Sequence, residues 1–466
     1  MAALAARLAA CLLLLLPLPA LAMVVPAPGH VLALAAHPVG LAALAVFILA
    51  YVLVVLEERI QLRKSKPVMI AAALIWLLIA AYAENAAIAP REFAATAFRH
   101  VFLEFSELFF FLIVAMSFVG AIGERNVFQA LRAELVSRNF SYLSLFWLTG
   151  LIAFFMSPLL DNLTTALIMS SVILAVGAGN VRFITLAFIN LVVAANAGGA
   201  WSAFGDITTL MVWQARRVEF FEFFRIFLPS LVNWLIPAAC MSWALPAGKP
   251  AGGPGNVEIK YGGWLVCALF ALTIIFTVAA KQFLHMPPVF GMMAGLGLLK
   301  VQGYFIRRHE ARTGEDEPYN VFKVIARAEW DTLLFFYGVL LCVGGLATLG
   351  FMQVASQHLY GGLGPTWANV IMGLLSAIVD NIPIMYAVLQ MAPAMDHGQW
   401  LLITLTCGVG GSLLSVGSAA GVALMGVSEG KYTFFGHLKW TWAIALGYIA
   451  SILVHLWLNG HHFGNA

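Results

Sequence analysis

Ser157-Pro158-Leu159-Leu160-Asp161-Asn162-Leu163-Thr164-Thr165 interrupts an apolar block that runs from 141 to 177. The block is long enough for two half-helices, and its middle carries Pro beside Asp, Asn and Thr. Ser376-Ala377-Ile378-Val379-Asp380-Asn381-Ile382-Pro383 interrupts a second block, 364 to 393, in the same way. Lipid offers no water to satisfy irregular backbone, so such a tip must face protein or a water-filled cavity. Both blocks are therefore expected to be re-entrant hairpins.

The surrounding composition demands a membrane. Of 466 residues, 62% are hydrophobic and 10% charged, against about 45–50% apolar and 25% charged in a soluble protein. Apolar spans fall at 39 to 56, 67 to 83, 101 to 122, 183 to 213, 225 to 246, 262 to 281, 286 to 305, 329 to 350, 399 to 427 and 437 to 458. Stretches of about 20 residues match the hydrocarbon core. A net charge of +3 gives no reason to expect nucleic acid. Cys11, Cys240, Cys267, Cys342 and Cys407 sit inside apolar blocks without paired spacing and read as core residues.

Arg7, the run Leu8 to Leu16, Pro17 and Pro19, then Ala20-Leu21-Ala22 follow the layout of a cleavable signal, so 1–22 is read as a signal peptide. An uncleaved first span is the alternative. A mature N-terminus outside, with each hairpin counted as no crossing, puts eighteen basic residues on the inner side and six on the outer, with Arg7 in the signal. That bias fits the positive-inside rule and places the C-terminus outside as well. Arg216, Arg217 and Arg225 are the outer cluster that fits least well.

The two irregular tips belong to a repeat. Glu104-Phe105-Ser106-Glu107 resembles Glu329-Trp330-Asp331-Thr332, each before an apolar span, and the two tips align. Beyond them, Gly198-Gly199-Ala200-Trp201-Ser202-Ala203-Phe204-Gly205-Asp206 aligns with Gly410-Gly411-Ser412-Leu413-Leu414-Ser415-Val416-Gly417-Ser418. Five crossings separate the first spans of the repeats, and an odd number inverts one relative to the other. The expected fold is thus all-α and polytopic, with inverted repeats at 101–246 and 329–458, each holding a re-entrant hairpin and a broken transmembrane helix. Two N-terminal helices (39–83), two linking helices (262–305) and a cytoplasmic loop (306–328) complete it. This is the architecture of many secondary transporters.

Asp161, Asp206 and Asp380 are the carboxylates placed deepest in apolar segments, and all three fall on the irregular motifs. A charge there costs about 2.5–3.5 kcal/mol, so it marks an ion or proton path. Carboxylate, amide and hydroxyl oxygens suit a small hard cation. A proton competes for the same carboxylate oxygens, so one site suffices for exchange. The candidate ion and proton site comprises Asp161, Asn162, Thr164, Thr165, Ser202, Asp206, Asp380, Asn381, Ser415 and Ser418, with Na+ at Asp161, Asp380 and Asp206. Capping of half-helix N-termini is the competing role for the three acids, most of all for Asp206, whose counterpart is Ser418.

Glu104 and Glu107 share a helix face near the outer end of their span and are either a proton entry or simply hydrated. Glu329 and Asp331 suit a helix N-terminus. Asn190 and Asn196 can add oxygens or bond between helices. His455, His461 and His462 read as an ordinary polar tail.

At these residues the chain resembles the NhaD-type sodium/proton antiporters of the ion transporter superfamily, which also includes arsenite permeases and dicarboxylate carriers. The resemblance covers nearly everything after residue 39. It is most specific at Ser157 to Asn162 with Thr164 and Thr165, at Asn196 to Asp206, and at Asp380-Asn381-Ile382-Pro383. It implies export of cytoplasmic Na+ or Li+ against entering H+ across a bacterial inner membrane, with rocking or elevator-like alternation. The expected partners are these ions and the lipid bilayer; a homodimer is compatible, and no cofactor is expected. An oxyanion or dicarboxylate permease is the alternative within the superfamily, disfavoured because both tips carry Asp and neither tip nor break carries Arg or Lys. An intramembrane aspartyl protease is a remote third reading, since Ala203-Phe204-Gly205-Asp206 lacks the first Gly of GxGD.

Overall fold

The computed structural model describes residues 31–60, 62–86, 92–138, 140–177, 179–250, 257–313, 319–460 and 463. The signal segment, Cys11, His461, His462 and part of the 306–328 loop lie outside the described residues. Every regular element among the described residues is helical, and ten helices are long and apolar enough to cross a membrane. The chain is a multi-pass membrane protein. Its described residues divide into two compact units.

The first unit contains α1 (Pro38–Val55), α2 (Ser65–Ala86), the start of α3 (Phe93–Glu124), and the later helices Trp330–Thr348 and Phe351–Ser356. Trp330–Thr348 is its central helix, with 83% of its apolar window buried. Close approach comes from small residues, as expected where lipid gives helices no hydrophobic reason to associate. A Cβ on Gly345 would fall 2.6 Å from Ile75, and one on Gly344 would fall 2.6 Å from Val101. Trp76 adds a bond from Nε1 to the Leu341 carbonyl at 2.9 Å. Asp331 lies in the first turn of its helix and accepts from Ser65 Oγ.

The second unit holds the rest of α3, then α4 (Val127–Ser137), α5 (Tyr142–Leu160), α6 (Asn162–Gly177), α7 (Val181–Ala200), α8 (Ile207–Gln214), α9 (Phe227–Ser242), α10 (Gly263–Leu284) and α11 (Pro288–Thr313). After α12 (Val321–Ala326) and the two first-unit helices, α13 (Trp330–Thr348) and α14 (Phe351–Ser356), come α15 (Pro365–Leu375), α16 (Asn381–Met391), α17 (His397–Gly410), α18 (Ala419–Val427) and α19 (Thr441–Leu458). The two-unit division passes within α3 and α16. At 94% buried, α7 is the centre of the second unit and has no lipid face to present.

Helices occupy the expected spans, but α3 begins eight residues before 101, and α11 continues to Thr313, into the expected 306–328 loop. The first limb of the first hairpin, α5, has 19 residues and is itself long enough to cross, where a half-helix was expected. Pro158 lies within its last turn and does not break it. The helix stops instead at Asp161, whose φ of 66° leaves the helical region. The second hairpin does have short limbs, α15 and α16, of 11 residues each.

Histidine 455 is a further correction. It is fully buried in α19, with Nε2 3.0 Å from the Gly398 carbonyl and Nδ1 3.0 Å from the Asn459 amide, and is no part of a polar tail. Cys240, Cys267, Cys342 and Cys407 are free thiols.

Candidate cation and proton site

The site begins where α7 ends. Gly199 and Gly205 approach so closely that a Cβ on either would lie 2.5 Å from the carbonyl oxygen of the other. No other residue fits this reversal without backbone movement. The chain leaves it in extended conformation at Asp206, which caps α8: Oδ1 accepts from the Thr208 N–H at 3.0 Å, and the Asp206 N–H donates to Thr209 Oγ1 at 3.3 Å. That is a capping box, which satisfies backbone donors that lipid cannot.

The Gly-rich stretch from Gly410 to Ser418 has similar geometry. Gly411 meets Gly417, with a Cβ on the former 2.7 Å from the latter's carbonyl oxygen. Ser418 then caps α18 with φ −144° and ψ 152°, against −149° and 152° for Asp206. The hairpins are anchored alike as well. Ser157 Oγ donates to the Ala195 carbonyl at 2.6 Å, and Ser376 Oγ donates to the aligned Cys407 carbonyl at 3.1 Å. Ala195 and Cys407 each lie three residues before the aligned Gly198 and Gly410.

Asp206 departs from its counterpart by collecting both hairpin tips. Its Oδ2 accepts from Asn162 Nδ2 at 2.9 Å and from Asn381 Nδ2 at 2.8 Å. Asp206 is 3% exposed, Asn162 8% and Asn381 2%, so bulk water is kept from this carboxylate. The network continues through Asn196 of α7, whose Oδ1 accepts from Asn162 Nδ2 at 2.9 Å. Asn196 Nδ2 in turn reaches Ser412 Oγ at 2.8 Å and Ser418 Oγ at 3.0 Å.

Asp161 and Asp380 stand half-buried at the tips. Asp161 Oδ1 and Oδ2 accept from the Thr164 N–H and hydroxyl, both at 2.8 Å, and Asp380 Oδ1 accepts from the Ile382 N–H at 3.4 Å. All three acids thus stand at helix N-termini, a place that favours negative charge. Asp206 adds to its cap the bonds from Asn162 and Asn381. Ser202 ties the break after α7 to α5, donating to the Pro158 carbonyl at 3.0 Å. Thr165 and Ser415 are buried with hydroxyl oxygens that have no hydrogen-bond partner among the described residues.

Glu104 belongs to the first unit. Its Oε2 accepts from Tyr386 Oη at 2.8 Å and Gln390 Nε2 at 3.3 Å, while His100 Nε2 lies 3.5 Å from Oε1. Glu107 is half-buried one turn further along α3. Asn190 makes helix-to-helix bonds, donating to the Phe146 carbonyl at 2.8 Å and accepting from Trp234 Nε1 at 2.8 Å.

The chain matches the family described as "Citrate transporter" over residues 14–408. It is 53% identical over 445 residues to the Na(+)/H(+) antiporter NhaD of Alkalimonas amylolytica, covering 91% of this chain and 92% of that protein. It is 51% identical over 455 residues to the protein of that name in Vibrio cholerae, covering 93% and 95%. This chain belongs to the NhaD antiporter family. Sodium/proton antiporter 1 of Arabidopsis thaliana is more distant, 30% identical over 429 residues with 90% and 72% covered. Membership of the NhaD family leaves no support for the aspartyl-protease reading, since its members are named as transporters.

Some of the polar core of this NhaD-family chain was not visible beforehand. Arg125 and Glu310, 2% and 0% exposed, form a buried ion pair, with Glu310 Oε2 also accepting from the Tyr319 N–H at 2.6 Å. Both lie near ends of apolar spans, where charges read as loop markers. Cys407 Sγ lies 3.2 Å from the Asn381 carbonyl, a contact for which a lone cysteine gives no signal.

Proposed function

We propose that this chain exchanges cytoplasmic Na+, and Li+, for external H+ across a bacterial inner membrane, with Asp206 as the carboxylate that the two ions share. The observation that supports this reading most is the convergence of Asn162 and Asn381 on one oxygen of Asp206. An Asn side chain carries a donor and an acceptor on one amide. With the N–H groups turned to Asp206 the carboxylate is satisfied without a cation. Rotation of either amide offers its carbonyl oxygen, so that carboxylate and amide oxygens together replace part of the hydration shell of Na+. Protonation of Asp206 removes the charge that holds the cation, which couples the two fluxes.

Asp161 and Asp380 are the carboxylates at the two tips and lie on the ion path, with Thr164, Thr165, Ser202, Ser415 and Ser418 as further oxygens. Glu104 and Glu107 lie on a proton route. The inverted relation of the repeats, the zero-crossing hairpins, the outer placement of both termini and a homodimeric assembly belong to the same proposal. Its support is the distribution of basic residues and the matching contacts of the two copies.

The family description raises an organic-anion carrier as a second reading. Against it stands the chemistry of the site: the Asp206 carboxylate accepts from the neutral amides of Asn162 and Asn381 and from the Thr208 N–H, an acid set among neutral donors where a dianion would meet repulsion. Everted membrane vesicles test the proposal. Added Na+ or Li+, but not K+, is expected to release accumulated protons. Uptake of citrate or a dicarboxylate by proteoliposomes, with no proton movement on adding Na+, would overturn it.

A further inference from the structure

Lys281 is 8% exposed in the last turn of the apolar helix α10. A cation at such a place is expensive unless it is used. Its Nζ donates to the carbonyl oxygen of Trp213 and lies 4.2 Å from the centroid of the Trp213 ring. Trp213 is in the last turn of α8, and the residue that caps the other end of α8 is Asp206. Eight residues make a helix about 12 Å long.

The carbonyl end of a helix is its negative pole and favours a cation. Backbone N–H groups close the same end. The Arg216 N–H donates to the same Trp213 carbonyl at 3.1 Å, and the Arg217 N–H to the Val212 carbonyl at 3.1 Å. The Arg217 guanidinium lies 5.1 Å from the Trp400 ring centroid, close enough for a cation–π contact. Arg216 and Arg217 are two of the basic residues that sat poorly with the inner-side bias. The ring contact supplies a local reason for the Arg217 charge, while the Arg216 contact is made by its backbone.

We propose that Lys281 is a positioning residue for the cation site: by holding the carbonyl end of α8 it sets where Asp206 stands at the other end. A short helix between two irregular segments has few hydrogen bonds of its own to fix its axial position, and a buried ammonium on its final carbonyls supplies that restraint. The inference rests on the reading of Asp206 as the shared carboxylate.

The test is the KM for Na+ of full-length Lys281→Met and Lys281→Arg in proteoliposomes, with Asp206→Asn and the unaltered protein alongside. Lys281→Met is expected to raise KM about tenfold, a loss of about 1.4 kcal/mol, with a smaller change in maximal rate; Lys281→Arg, which keeps the cation, returns KM towards the unaltered value. If the Met variant does not accumulate in membranes, Lys281→Gln carries the same comparison. An unchanged KM in the neutral variant overturns the proposal. So does a lowered KM, which would mean that Lys281 acts by repelling Na+ and not by holding α8. If Asp206→Asn transports Na+ with an unaltered KM, it is the site reading that fails.

Discussion

Asn381 donates its side-chain amide to Oδ2 of Asp206 at 2.8 Å, although 175 residues separate the two along the chain. The bond joins the tip of the second hairpin to the break after α7. The aligned tip residue Asn162 meets the same oxygen, so Asp206 holds two amides from two copies of one motif. Replacing either asparagine should therefore weaken cation binding in similar measure. Asn162→Ala and Asn381→Ala are each expected to raise the KM for Na+ by about tenfold or more, since a hydrogen bond to a charged group is worth roughly 1.5–3 kcal/mol. Sodium-dependent proton efflux measured over a Na+ concentration series checks both.

Charge and capping can be separated at the tips. Asp161 and Asp380 accept backbone N–H groups at the starts of α6 and α16, and Asn is nearly as good a cap as Asp. Asp161→Asn and Asp380→Asn are expected to insert normally yet abolish Na+-induced proton release from everted vesicles. Full activity in both variants would remove the tip acids from the ion path.

The break in α7 leaves no room for a side chain. In Gly205→Ala the new methyl would meet backbone atoms of Gly199, so the reversal must open and carry Asp206 with it. Overpacking of this kind costs about 1–3 kcal/mol. Thermal unfolding of the detergent-solubilised variant should shift down by that amount, with transport largely lost. The aligned variant Gly417→Ala is expected to lose stability by a similar amount.

The Arg125 and Glu310 pair is a stability element away from the site. Glu310→Gln leaves Arg125 buried without its counter-charge and is expected to destabilise by about 3–5 kcal/mol, whereas Arg125→Met combined with Glu310→Met costs less because neither charge remains. A double-mutant comparison by thermal denaturation measures the difference. Equal losses in the single and double variants would contradict the pairing as its cause.

Much of this was legible because bilayer thickness imposes its length on the sequence. The spans, both tips and both Gly-rich breaks are visible as apolar blocks and their interruptions. Pro158 reads as the break, but the helix continues past it to Leu160 and stops at Asp161. The alignment of Asp206 with Ser418 sets it below the tip acids, which match acid to acid. In the folded chain that asymmetry is what places one carboxylate, and not two, between Asn162 and Asn381. Lys281 closes the apolar block 262 to 281, where a charge reads as a loop marker. Its partner is a backbone carbonyl, which leaves no trace in side-chain pattern.

The central claim is that Na+ and H+ compete for Asp206, and it can be measured without transport. Adding Na+ to the purified, detergent-solubilised protein in weakly buffered solution should release protons, detected by a pH indicator, and K+ should release none. The account predicts that Asp206→Asn abolishes this release while the protein remains folded. Full Na+-induced proton release from Asp206→Asn would contradict it.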